Sequence, residues 1–111
     1  MVGKFDTTFA WAQPGKLIVS GTLEGCSPGA EVRIAVPSLR QSGDSVHCHE
    51  DFTMPGDGSA LHWQMDVSTH FHTGTASADA TATNRDDPSQ TFSWSAPDAN
   101  SVPPTAPINI P

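Results

Sequence analysis

Four of the five histidines occur in two His-x-His pairs, a spacing that can present two imidazole rings to one metal ion. The pairs are His47 with His49 and His70 with His72. On a β-strand, residues i and i+2 share a face, so both rings of a pair project to the same side. Two such pairs on adjacent strands would form a four-nitrogen site for Zn²⁺ or Ni²⁺. Nothing in the sequence makes the two strands neighbours, so we expect solvent-facing histidines, no bound metal and no cofactor.

The two cysteines, Cys26 and Cys48, define a second candidate site. A bridge between them would close a loop of about 20 residues, which stabilises a fold by roughly 3 kcal/mol in the chain-entropy model. The oxidising medium around a virion or an exported protein would preserve the bridge, whereas the cytosol would keep both thiols reduced. We expect the disulfide in the mature protein, and two free, half-buried thiols are the alternative.

No arrangement of residues in the sequence indicates catalysis. The tripeptide Gly43-Asp44-Ser45 resembles the nucleophile motif of a family of esterases. That serine requires a buried parallel strand before it and a helix after it, and neither is predicted here. The chain contains no G-x-S-x-G, P-loop or H-E-x-x-H pattern. We therefore expect a protein that is not an enzyme.

The charge of the chain excludes several classes of partner. Twelve acidic residues against five basic ones give a formal net charge of -7. No block of Lys or Arg could follow a phosphate backbone, so we expect neither nucleic acid nor a membrane as a partner. The apolar runs are too short to span a bilayer. The N-terminus lacks the apolar stretch of a secretory signal, so we expect synthesis in the cytosol or a signal already removed.

Seven stretches in which apolar and polar residues alternate predict seven β-strands. They cover residues 5–11, 17–23, 32–36, 46–51, 61–67, 75–83 and 92–94. We expect the second and third to form a hairpin-like pair, and residues 37–44 to be a polar connection. No window shows the periodicity of an amphipathic helix. Short strands separated by turns at intervals of about 8–12 residues predict an all-β sandwich over residues 5–96, after a lead at 1–4.

The predicted core is thin, because Leu, Ile, Val and Phe together make only 20 of 111 residues. We expect support from a disulfide or a neighbouring subunit. Trp63 and Trp94 fall on predicted inner faces and are expected to pack in the core. Trp11 is then the tryptophan left for contact with a sugar or another surface.

The C-terminal segment, residues 97–111, contains five prolines and is expected to be an extended, polyproline-like arm. The alternative is a disordered terminus. If it is an arm, its apolar side chains are the candidate contacts with a neighbouring chain. These are Val102, Pro103, Pro104, Pro107, Ile108 and Ile110.

Two parts of the chain carry a resemblance to a known family. Val19-Ser20-Gly21-Thr22, then Pro28-Gly29-Ala30 before alternating valines, resembles the opening of bacterial immunoglobulin-like repeats. Asp57-Gly58-Ser59 and the Thr-Ala-Thr run before Asn84 are similar to the family's later turn and strand. The match covers about residues 16–94, although Arg85-Asp86-Asp87 replaces the usual glycine after Asn84. The resemblance implies an immunoglobulin-like β-sandwich of about seven antiparallel strands, as found in bacterial surface proteins and bacteriophage virions.

This resemblance, the acidic charge and the proline-rich arm together predict a function. We expect a non-enzymatic bacteriophage capsid decoration protein on the virion surface, with capsid subunits and copies of itself as partners. The alternative is a carbohydrate-binding or adhesion module of a bacterial surface or secreted protein, with host-surface glycans as partners.

Overall fold

The computed structural model describes residues 3–13, 15–41, 44–69 and 77–96, which form seven β-strands and no helix. The strands are β1 (Lys4–Gln13), β2 (Lys16–Glu24), β3 (Glu31–Gln41), β4 (Asp44–Thr53), β5 (Leu61–Ser68), β6 (Ser77–Asn84) and β7 (Thr91–Ala96).

The strands form two antiparallel sheets. One has three strands in the order β1-β2-β5, and the other has four in the order β4-β3-β6-β7. Their apolar faces share one buried cluster, which is how two sheets pack in a sandwich. The predicted all-β sandwich of seven antiparallel strands is confirmed. Its fourth strand pairs with β3 and so belongs to the larger sheet.

The core follows from the alternation of apolar and polar residues along each strand. In β5 every second residue, from Leu61 to Val67, is buried, and the residues between them are exposed. In β6 the alternating residues Ala78, Ala80 and Ala82 are fully buried. Because β6 fills its inner face with alanines, this strand lies inside the fold without any large apolar side chain. The small share of Leu, Ile, Val and Phe is therefore compatible with one continuous core.

Two expectations about the third strand are wrong. β2 and β3 do not form a hairpin-like pair, because β2 pairs with β1 and β5 while β3 pairs with β4 and β6. The connection between them crosses from one sheet to the other. β3 also continues to Gln41 through the expected polar connection. A register shift between Val36 and Leu39 accommodates Pro37, since a bulge leaves a backbone group outside the ladder.

A glycine in the middle of β2 makes room for a tryptophan. Gly21 lies in register between Thr7 of β1 and Trp63 of β5. A Cβ atom on Gly21 would stand 1.7 Å from the backbone oxygen of Asp6 and 3.0 Å from Cζ2 of Trp63. The Trp63 ring contacts Phe5 on the far strand, with 5.7 Å between ring centroids. This close approach of three strands requires glycine.

Aromatic rings also close the side of the sandwich where β1 faces β7. The rings of Phe9 and Trp94 lie 5.4 Å apart, centroid to centroid. Gly3 lies directly against the ring of Phe92, because a Cβ atom there would be 2.3 Å from Cε1 of that ring. Phe92 and Trp94 remain half-buried, so β1 covers these two rings only in part.

Candidate functional site

Three connections between strands meet at one end of the sandwich, which we call the loop end: residues 25–30, 54–60 and 85–90. Backbone hydrogen bonds join them. Gly29 N donates to Met54 O at 3.2 Å, and Met54 N donates to Ala30 O at 2.8 Å. Arg85 N donates to Glu31 O at 2.9 Å. The loop end is therefore one connected surface.

A buried glutamine fixes two of these connections to each other. Gln90 Oε1 accepts hydrogen bonds from Asn84 Nδ2 at 2.8 Å and from the Ser27 backbone nitrogen at 3.0 Å. Gln90 Nε2 donates to Ser27 Oγ at 3.0 Å. Asn84 and Gln90 are the buried polar residues of the described chain, and both are paired. A satisfied polar network of this kind rigidifies the loops that it connects.

Side-chain oxygens hold the turns of the loop end from within. Asn84 Oδ1 accepts from the backbone nitrogens of Asp86 and Asp87 at 2.9 and 3.2 Å. Asp57 accepts from the Ser59 backbone nitrogen at 2.9 Å and from its hydroxyl at 2.6 Å. These two bonds lower the pKa of Asp57 below its ordinary value, because they stabilise the ionised carboxylate.

The surface of the loop end is acidic. Five carboxylates lie in or beside its connections and one guanidinium accompanies them. They are Glu24, Glu31, Asp57, Asp86 and Asp87, with Arg85 as the cation. All six residues are exposed. The arrangement offers a rigid surface with an excess of negative charge.

The outer face of the larger sheet carries an ion-pair cluster around Asp51 of β4. Arg33 of β3 makes a two-pronged contact, with Nε 2.9 Å from Oδ1 and Nη2 3.2 Å from Oδ2. Arg85 Nη1 lies 2.8 Å from Oδ2. The hydrogen bond from Arg33 lowers the pKa of Asp51, and the same contact raises the pKa of Arg33. The carboxylate is therefore committed to structure and is not available as a general base.

Two of the four candidate histidine ligands lie on the same outer face. His47 and His49 of β4 are both exposed, and His49 pairs with Ala35 of β3. His70 and His72 lie outside the described residues. Within the described ranges, no group of three or more His, Cys, Asp or Glu residues could hold a metal ion. The four-nitrogen site is therefore not assembled from the described residues, and we do not propose it.

Both cysteines are free thiols in the structure, so the expected Cys26–Cys48 bridge is not formed in it. Cys26 is buried at the loop end, while Cys48 pairs with Val36 in the interior of β4. Five residues, or about 17 Å of strand, separate Cys48 from Thr53 at the loop end. A disulfide requires Cα atoms within about 7 Å of each other. Burial raises the pKa of both thiols, which lowers the fraction of reactive thiolate at neutral pH.

The tryptophans differ in how they are used. Trp63 is buried and Trp94 is half-buried against Phe9, as expected of core residues. Trp11 lies in β1, and its side chain falls outside what the structure describes. The expected sugar contact through Trp11 therefore stays a prediction. The structure shows no platform formed by Trp63 and Trp94.

The candidate contacts of the C-terminal arm, from Val102 to Ile110, also lie outside the described residues. The structure does fix where this segment begins. β7 runs from Thr91, at the loop end, to Ala96, which pairs with Ala78 of β6. The last described strand therefore ends on the side of the sandwich opposite the loop end.

Sequence analysis did not find the Gln90 network or the Asp51 cluster. Arg33 and Asp51 are both outward-facing in the alternation, but the register of β3 against β4 decides whether they meet. Gln90 follows the polar residues Asp87-Pro88-Ser89, and its sequence neighbours do not indicate that it is buried. Neither pairing has a signal in the spacing of the residues.

No family model, curated protein or solved structure matches the chain. Within the described part of the chain, no helix has the length and hydropathy needed to span a bilayer.

Proposed function

We propose that the protein is a non-enzymatic bacteriophage capsid decoration protein, which displays an immunoglobulin-like domain on the virion surface. Residues 97–111 attach it to capsid subunits. The observation that supports this proposal best is that the two ends of the domain differ. The rigid, acidic loop end lies at one end of the sandwich, and β7, the strand that precedes residues 97–111, ends at the other.

This difference between the two ends follows from the direction of the last strand. β7 has six residues, Thr91–Ala96, and starts at the loop end. At about 3.3 Å per residue, the chain leaves β7 roughly 17 Å away from the loop end. A domain anchored through residues 97–111 therefore presents the loop end outward, away from the surface that holds it.

The chemistry of the displayed surface supports the same function. Its five carboxylates outnumber its one guanidinium, and the whole chain has a net charge of -7. Negative charge on the outward surface keeps copies that stand side by side on a particle from adhering through that end. The resemblance of residues 16–94 to bacterial immunoglobulin-like repeats also supports a display domain.

Three groups that could perform chemistry are held in a form that does not favour catalysis. Both thiols have raised pKa values, and the Asp51 carboxylate is held by two guanidinium groups. An enzyme requires a nucleophile or base that is free to accept a proton. The alternative function, a carbohydrate-binding or adhesion module, gains nothing from Trp63 and Trp94, because their rings pack against Phe5 and Phe9.

Quantitative mass spectrometry of gradient-purified virions tests the proposal. The virions are purified from cells that express the gene for this chain. The number of copies of the chain per particle is measured relative to the major capsid protein. We expect a fixed ratio of this chain to the capsid subunit. Recovery in the cell envelope or the medium, with none in the particle band, would contradict the proposal and favour the adhesion module.

One variant with two substitutions tests the orientation of the domain. The double substitution Asp86→Asn and Asp87→Asn alters the loop end but keeps the side-chain acceptors that hold its turn. We expect unchanged occupancy on the particle for this variant. A loss of occupancy would show that the loop end, and not the opposite end, contacts the capsid.

A further inference from the structure

β7 is one of four edge strands in the described part of the chain, and its outer edge is the least protected against pairing with another strand. β7 pairs with β6 on one side, and no ladder is formed on its other side within the described residues. An open edge presents unpaired N–H and C=O groups, and proteins usually protect such edges with charges, prolines or bulges.

The other edge strands carry these protections and β7 does not. β4 has His47, His49, Glu50 and Asp51. β1 has Lys4, Asp6 and a register shift near its end, and β5 has His62 and Asp66. β7, with the sequence Thr-Phe-Ser-Trp-Ser-Ala, contains no ionisable residue, no proline and no register shift against β6.

The hydrogen bonds of the neighbouring turn show which residues of β7 face the open edge. Asn84 N donates to Gln90 O at 3.0 Å, so the carbonyl of residue 90 points toward β6. Along an antiparallel strand, residues alternate in the direction of their backbone groups. The backbone groups of Phe92 and Trp94 therefore also point toward β6. Those of Thr91, Ser93 and Ser95 point outward.

We propose that β7 pairs with β7 of a second copy of this chain, antiparallel about a two-fold axis at Ser93. In this register Ser93 lies opposite Ser93 of the second copy, and Thr91 lies opposite Ser95. All three outward-facing residues then form hydrogen-bonded pairs. Shifting the register by two residues in either direction leaves at least one of the three without a partner in the strand.

The side chains are complementary in the same register. Phe92 lies opposite Trp94 of the second copy on the inner face, and the rings are half-buried in a single copy. Residues opposite each other in a pair without hydrogen bonds have the closest side chains, which favours aromatic contact. On the outer face, Ser93 meets its own counterpart without any charge. The dimer thus joins two four-stranded sheets into one of eight.

We assign a second copy of the chain as the partner of this edge, because β7 is complementary to itself and carries no charge that would repel an identical strand. A symmetric dimer must be self-complementary, and a strand without charge satisfies that condition. The C-terminal segment of the same chain is a poorer partner for the edge, since prolines at 97, 103, 104, 107 and 111 lack the N–H donor that a ladder needs. The dimer is proposed for the free protein in solution. Because its two β7 strands run antiparallel, they end at opposite ends of the dimer, so only one of the two copies could attach to a surface through residues 97–111.

Sedimentation equilibrium of the full chain, with the Ser93→Lys variant beside it, tests the proposal. We expect a wild-type dimer and a dissociation constant at least about tenfold higher for Ser93→Lys, because two ammonium groups would meet at the axis. The matched control is Thr81→Lys, on the same outer face but on the inner strand β6, which should leave the dimer intact. Because each copy has a net charge of -7, added salt should strengthen the wild-type dimer.

Cross-linking distinguishes this register from any other dimer. Opposed residues in a hydrogen-bonded pair have Cα atoms about 5.5 Å apart, within disulfide range. Ser93→Cys should therefore form a covalent dimer on mild oxidation, with position 93 joined to itself by mass spectrometry. Thr81→Cys should not, since its two copies would lie about 14 Å apart, three strand spacings. A monomeric wild type, or a dimer that Ser93→Cys fails to cross-link, would overturn the proposal.

Discussion

Replacing Gly21 with alanine should destabilise the domain strongly, although the change adds only one methyl group. The new Cβ atom would stand 1.7 Å from the Asp6 backbone oxygen and 3.0 Å from Cζ2 of Trp63. The Asp6 oxygen belongs to β1 and cannot rotate away as a side-chain end could. The substitution must therefore push β1 away from β2 or force Trp63 out of its place.

The cost can be estimated from what β1 loses near Gly21. Phe5 is buried and contacts Trp63 at 5.7 Å between centroids. Exposing a phenylalanine costs about 1.5–3 kcal/mol, and losing an aromatic pair costs about 0.5–1.5 kcal/mol more. Alanine returns about 0.4–1 kcal/mol, because it has less freedom than glycine in the unfolded chain. The free energy of unfolding should fall by roughly 1–4 kcal/mol.

Urea unfolding followed by tryptophan fluorescence measures this change. The matched control is Gly56→Ala, because a Cβ atom at Gly56 would meet nothing within 4 Å. We expect the control to be at least as stable as wild type, by up to about 1 kcal/mol, because only the gain from the unfolded chain applies there. If Gly21→Ala unfolds at the same urea concentration as the control, the close approach of β1, β2 and Trp63 is wrong.

Four further predictions concern the loop end, the thiols, the ion pairs and metal. Gln90→Ala should lower the free energy of unfolding by about 1–3 kcal/mol, since Asn84 Nδ2 loses its acceptor; an unchanged urea midpoint would contradict the network. The intact mass of the unreduced protein should correspond to two free thiols, and these thiols should be alkylated slowly in the folded protein and quickly in denaturant. A mass lower by two hydrogens would show that the Cys26–Cys48 disulfide forms. Because Arg33 holds the pKa of Asp51 below its ordinary value, the stabilisation from this pair is present above the ordinary pKa and disappears as pH falls through the depressed one. Asp51→Asn should therefore weaken the dependence of Tm on acid pH, and an identical acid profile would refute that role. Chelator should leave Tm unchanged, whereas a fall of more than about 10 °C would reveal a structural metal.

The number and positions of the strands could be predicted from the sequence because each strand has one buried face. The alternation of Leu61, Trp63 and Met65 with polar residues identifies β5 directly. The alanines of β6 were correctly assigned to a strand, since their period of two outweighs the helical preference of alanine.

The pairing of the strands could not be predicted in the same way. The residues after β2 are typical of a hairpin turn, but the chain crosses there to the other sheet. The crossing places the apolar face of β3 against the apolar face of the smaller sheet, so that both faces are buried. Pro37 suggested the end of β3, yet a bulge lets the strand continue past it. The contact of Arg33 with Asp51 depends on this register, so the sequence alone contains no sign of it.

The central claim is that the domain is held on a virion by its C-terminal segment, and removal of residues 100–111 tests it most directly. Occupancy on purified particles is measured for the full chain and the truncated chain, together with the Tm of each. We predict that the truncated chain is absent from the particle fraction, while its Tm stays within a few degrees of the Tm of the full chain. Wild-type occupancy of the truncated chain on the particle would contradict the account.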